Sequence, residues 1–166
     1  MSRPAAESKC DAHRRGARWL LSALLLCPIV AGHAVGADAA FQRSTLEIQS
    51  AQGRQVFQIR IASSSAQQER GLMFETRLPA DEGMLFPQPE PRIVSMWMKN
   101  TYIPLDMLFI DARGHVACLL ANTKPQSLDI LSCPKPVVAV LEIGGGESAE
   151  RGIRVGDAVS NPAPAG

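Results

Sequence analysis

Residues 94–111 read VSMWMKNTYIPLDMLFID, an apolar alternation interrupted by a polar knot. Side chains of a strand alternate between faces, so Val94, Met96 and Met98 share one face and Ser95, Trp97 and Lys99 the other. The first set is an interior face. The second points outward or into a groove, where Trp97 and Lys99 set a flat apolar plate beside a cation, suited to a ligand with an apolar or sugar ring and a negative group. The plainer alternative packs Trp97 under a neighbouring loop and pairs Lys99 with Asp106. Asn100 and Thr101, ahead of Tyr102-Ile103-Pro104, read as a turn whose side chains bond nearby backbone. The Asp106 carboxylate stands to accept from Thr101, Asn100 or a backbone N–H, and so either rigidifies that turn or orients Lys99 toward a ligand. Arg70 joins this candidate binding set or is an ordinary solvated arginine.

Short alternating segments recur on both sides of this stretch. Leu46 and Ile48 alternate with polar residues over 45–49, and after Ala51-Gln52-Gly53 the pattern resumes at Val56, Phe57, Ile59 and Ile61, which reads as a hairpin. A short helix is predicted over 66–73, with Ser65 and Gln68 at capping-box spacing and Gly71 closing it. Further strands are predicted at 83–86, 92–99, 107–110, 115–120 and 137–143, with Asp111-Ala112-Arg113-Gly114 as a hairpin loop. Gly144-Gly145-Gly146 leads into a helical turn at 147–151, a last strand lies near Ala158-Val159, and Pro162 and Pro164 mark a frayed tail. The pattern predicts a mainly β, single-domain antiparallel sandwich or barrel-like fold with one or two short helices.

The N-terminus has a different character. Arg14, Arg15 and Arg18 precede an apolar run from Trp19 to Val30 and the small residues Val35-Gly36-Ala37, the layout of a secretory signal over 1–37. The run of about a dozen residues falls short of the ~20 that a spanning helix requires, and an uncleaved anchor is the alternative. A single exported domain over 38–166, with its core at about 44–160, then makes a periplasmic or secreted protein, expected as a monomer with no membrane span after cleavage. That domain holds 12 basic against 14 acidic side chains, and without a basic stripe nucleic acid is not an expected partner. Cys118 and Cys133 remain in it. They either form a disulfide, which an oxidising compartment permits, or pack as two buried thiols.

Little else carries chemistry. Met73, Met84, Met96, Met98 and Met107 raise a Cu(I) site, but thioethers commonly fill core gaps, and no His or Cys stands at ligand spacing near them; no metal is assigned. His115 is the only histidine of 38–166, so neither a triad nor a zinc site is supported. Asp106, Asp111 and Glu142 offer carboxylates for a glycosidase-like pair at a spacing that sequence does not determine, although Glu142 in VLEIGGG reads more simply as ending its strand against the Gly-rich turn. No cofactor is expected, since no GxGxxG opens a helix after a strand.

The segments ERGLMF (69–74), LP (78–79), GMLF (83–86), MWMKNTYIPLDMLFID (96–111), VLEI (140–143) and GIRVGD (152–157) resemble, in order, the domain of unknown function 192 family of bacteria and archaea. The resemblance implies a small, mostly β sandwich-like domain, often exported, with no established activity. The Cys118 and Cys133 pair is not part of its pattern. The expected role is binding of a small ligand or an envelope protein at Trp97, Lys99, Asn100, Thr101, Asp106 and Arg70. Its rivals are an envelope enzyme acting on a glycan through Asp106, with Lys99 or Arg70 as support, and a structural module.

Overall fold

The computed structural model describes residues 40–160. The segment read as a signal and the proline-containing tail lie outside the described residues. Nine strands and two short helices follow one another: β1 (Gln42–Ser50), β2 (Gly53–Ile61), α1 (Ser65–Arg70), β3 (Glu82–Arg92), β4 (Ser95–Met96), β5 (Leu105–Ile110), β6 (Val116–Thr123), β7 (Leu131–Ser132), β8 (Val137–Gly144), α2 (Glu147–Glu150) and β9 (Ala158–Ser160). Seven strands form one curled, half-barrel sheet in the order β6-β5-β8-β3-β2-β1-β9, and β4 pairs with β7 in a separate ribbon. The mainly β prediction holds. All pairings in the large sheet are antiparallel except β2 with β3, where α1 lies in the connection and returns the chain in the same direction.

The central strands are apolar on both faces because both faces are covered. All six residues of β5 are buried. Met107, Phe109, Met84, Phe86 and Val140 belong to one core cluster, and Leu108, Leu85, Leu141 and Ile143, at the alternate positions of the same strands, belong to a second that includes Leu46, Ile48, Phe57 and Ile59. Period-two alternation thus sorts one continuous apolar run into two cores, one on each side of the sheet.

Local chemistry accounts for the turns. Gly53 (φ 100) completes the β1–β2 hairpin. In the β5–β6 hairpin the Asp111 Oδ1 accepts from the N–H of Arg113 (2.9 Å) and of His115 (3.0 Å), and Gly114 takes the positive φ that the loop needs. The His115 N–H is also the main reason that the Asp111 carboxyl sits below its ordinary range. The capping box lies one residue earlier than predicted: Ser64, not Ser65, is the N-cap, and Gln67, not Gln68, reaches back. Gln67 Oε1 accepts from the N–H of Ser63 and of Ser64 and from the Ser63 hydroxyl, which commits this side chain to the buried side of α1.

Three further departures have identifiable causes. The strand predicted over 92–99 contracts to the two residues of β4, because Thr101 N–H donates to the Met98 carbonyl and turns the chain. β7 was not predicted, and exists only through its pairing with β4. β3 extends six residues beyond Phe86, through Pro87, Pro89 and Pro91, and its pairing with β8 shifts register between Pro87 and Arg92, where the ladder gives way. Cys118 and Cys133 are joined in a disulfide with their Cα atoms 5.8 Å apart, which excludes the free-thiol alternative. Among the described residues no helix is long and apolar enough to cross a membrane.

Candidate functional site

The site begins on β8, whose sequence VVAVLEIG places one carboxylate in an otherwise apolar strand. Glu142 shares the face of Val140 and is paired in register with Met84 on β3 and Met107 on β5. It is 4% exposed. No described residue gives its carboxyl a hydrogen bond or an ion pair, and burial pushes its pKa up to about 8, so the group is predominantly protonated at neutral pH. Glu142 therefore does not end the strand against the glycines. Its side chain lies at a small cavity.

Two segments cover that cavity, and the backbone ties them together. Phe74 N–H donates to the Asn100 carbonyl (2.8 Å), and Asn100 Nδ2 donates to Met73 Sδ (3.8 Å). Both Phe74 (φ 67) and Asn100 (φ 56) hold left-handed backbone, a conformation that costs most residues energy and is tolerated best by Asn. The segment after α1 and the 97–101 turn thus form one lid over the sheet. The space beside it, about 30 Å³ and open to solvent on one side, is lined by Arg70, Met73, Trp97, Lys99, Thr101 and Glu142 among others. A cleft of about 210 Å³ adjoins it along Phe86, Gln88, Arg92, Ser95, Met96 and Trp97. Phe86, Met96 and Trp97 line both, so the two spaces form one elongated groove.

Trp97 is 45% exposed and forms a wall of this groove. The Lys99 ammonium lies 5.5 Å from its ring centroid, a cation–π distance, so Lys99 pairs with the tryptophan and not with Asp106. Thr101 is buried, with its hydroxyl 3.4 Å from the Lys99 carbonyl. Five of the six residues named from sequence as a candidate surface are brought together here, with Asn100 acting through the lid.

Asp106 is the exception. It pairs in register with Ile143 and not with Glu142, so its side chain leaves the sheet on the opposite face. There its carboxylate accepts from Asn122 N–H (2.7 Å), Gly146 N–H (3.0 Å), Ser148 N–H (2.9 Å) and the Ser148 hydroxyl (2.5 Å). The predicted backbone N–H partners exist, whereas none of these four donors belongs to Asn100 or Thr101. Asp106 anchors the Gly-rich turn and the start of α2, which corrects its place in the binding surface. Asp106 and Glu142, on opposite faces, cannot flank one glycosidic bond.

The methionines divide between core and groove. Met84, Met98 and Met107 are fully buried, and Met98 Sδ accepts from the Thr123 hydroxyl (3.2 Å), while Met73 and Met96 line the cavity. Among the described residues no group of three His, Cys, Asp or Glu side chains stands together as metal ligands. Sequence reasoning names Glu142 among candidate carboxylates but prefers a strand-ending role for it and leaves it out of the candidate binding set. The available signal was parity: it occupies an interior position in a run whose neighbours are all apolar.

A family model described as DUF192, Uncharacterized ACR, matches residues 46–161. No curated protein matches the chain. Among solved structures, a protein of unknown function from Novosphingobium aromaticivorans is 38% identical with a TM-score of 0.71, over 75% of this chain and 95% of its own. A Sinorhizobium meliloti protein described provisionally as a transcription regulator is 36% identical with a TM-score of 0.71, over 74% of this chain and 95% of its own.

Proposed function

This chain belongs to the DUF192 family, and on that premise we propose that it is an exported binding module whose groove takes a small, ring-bearing, anionic ligand. The observation that carries the reading is the convergence of Trp97, Lys99, Arg70 and Thr101 on one cavity with a buried carboxyl beside it. The ring of the ligand stacks on Trp97, and its negative group is drawn by the cations at the rim. A concave site in which aromatic and apolar side chains stand beside converging polar groups is a common form for small-ligand binding. Export is supported by the signal-like N-terminus and by the Cys118–Cys133 disulfide, since disulfides persist in oxidising compartments. The transcription-regulator description of the Sinorhizobium relative finds no support in the charge of residues 38–166, which lack a basic stripe.

The test is a calorimetric screen of the purified protein against ring-bearing acids and glycan fragments, followed by Trp97→Ala. Loss of the stacking plate should weaken binding by roughly tenfold or more, at about 1–3 kcal/mol for a ring contact, with the melting temperature nearly unchanged. Equal affinity in the variant would remove the groove from consideration. Turnover of a glycan would convert the binder into an enzyme.

An envelope protein as partner is the second reading. Phe74 and Tyr102 form an exposed edge-to-face pair with ring centroids 6.1 Å apart beside the lid. Exposed Leu128 follows Ser127, whose carbonyl accepts from Met98 N–H. Exposed apolar side chains so placed favour a protein surface.

A further inference from the structure

We propose that the head group of the ligand is a carboxylate and that protonated Glu142 is the hydrogen-bond donor that receives it, an inference that rests on the groove being a ligand site. Glu142 is almost wholly buried, lines the cavity and has no partner among the described residues. Its carboxyl faces the cavity without a protein acceptor, so a group that enters there and offers a lone pair meets an uncommitted O–H donor. Burial keeps the proton on Glu142 near neutral pH, which removes the charge that would otherwise repel an anion.

The remaining charges around the cavity are mostly positive. Arg70 at the end of α1 and Lys99 on the 97–101 turn face it, opposed by Glu69, and Arg92 lines the adjoining cleft. The flanking strands contribute Met84 and Met107, which do not titrate. An ammonium head would meet two cations at the rim. Volume points the same way: one water requires about 10–15 Å³ of such space, and the cavity of about 30 Å³ accommodates a planar head with two oxygens. The bound pair is then a carboxylic acid donating to a carboxylate, with Thr101 and the rim cations beside it. Because the ligand charge disfavours ionisation of Glu142, binding holds the proton in place.

Calorimetry with benzoate, benzamide and benzylamine tests this. Benzoate should bind at least about tenfold more tightly than the other two near neutral pH, and its affinity should fall by up to about tenfold per pH unit above about 8. Glu142→Gln retains a donor, so it should bind benzoate within a few-fold of wild type and lose this pH dependence. Glu142→Leu should lose most of the affinity while melting cooperatively. A flat wild-type profile from about pH 7 to about pH 9.5, or the same slope in Glu142→Gln, overturns the role of Glu142. Benzamide or benzylamine binding as tightly as benzoate overturns the carboxylate assignment and leaves the groove standing as a ring site. If none of the three binds at millimolar concentration, the groove reading falls with it.

Discussion

Asp106 and Glu142 sit on neighbouring strands, one ladder position apart, and strand alternation sends them to opposite faces of the sheet. Asp106 meets three backbone N–H groups and a hydroxyl; Glu142 meets none. Truncating Asp106 to alanine leaves four donors buried or half-buried without their acceptor. At about 1–3 kcal/mol for each group left unsatisfied, tempered by water reaching the outer ones, Asp106→Ala should cost on the order of 4 kcal/mol in urea denaturation. A loss below about 1 kcal/mol would refute the anchoring role. Ligand binding by the molecules still folded should be unchanged, since Asp106 is not in the groove. The candidate site is legible in sequence to the extent that parity reveals it: the alternation in VSMWMK turns Trp97 and Lys99 away from the buried Val94 and Met98, and both are exposed. The partners of Asp106 lie 16 to 42 residues away, and a bond formed across that distance leaves no local pattern. The glycines after Glu142 offer a local explanation for a polar residue, and they mask its interior position in the sequence.

At the scale of elements, the ribbon of β4 and β7 depends on a covalent brace. Cys133 directly follows β7, Cys118 lies on β6, and β7 pairs with the strand that leads into Trp97. In the chain-entropy picture, closing a loop with a sequence separation of 15 contributes about 3 kcal/mol. The double variant Cys118→Ser, Cys133→Ser should lose about that much stability. Thiol titration of the denatured, unreduced protein should detect neither cysteine, and two free thiols would contradict the bond. Elements with a complete local signal were legible in sequence, namely the β1–β2 and β5–β6 hairpins with their glycines and the apolar central strands. β7 was not, because two residues carry no periodicity and owe their conformation to a partner. The continuation of β3 through three prolines was also hidden: proline removes a ladder donor, a local penalty that the neighbouring strand and a register shift absorb.

For the whole molecule, a buried carboxyl makes folding sensitive to a rise of pH from acid through neutral. Between pH 4.5 and about 8 the native state keeps a proton on Glu142 that the unfolded chain has released. Stability is therefore lost as the pH rises through this window, with a limiting slope of about 1.4 kcal/mol per unit, and the effect levels off beyond it. Glu142→Gln abolishes the linkage. Its stability relative to wild type should thus increase from about pH 5 to about pH 8 by a few kcal/mol, the other titrating groups being common to both proteins. A constant difference between the two pH values would mean that Glu142 ionises normally. Trp97 is the only tryptophan among the described residues and one of two in the chain, the other being Trp19. Indole emission from the folded domain comes from a single fluorophore on the wall of the groove, with a lysine cation over its ring. The domain thus carries its own optical reporter: a ligand entering the groove would change the wavelength and quenching of this one indole, with no label.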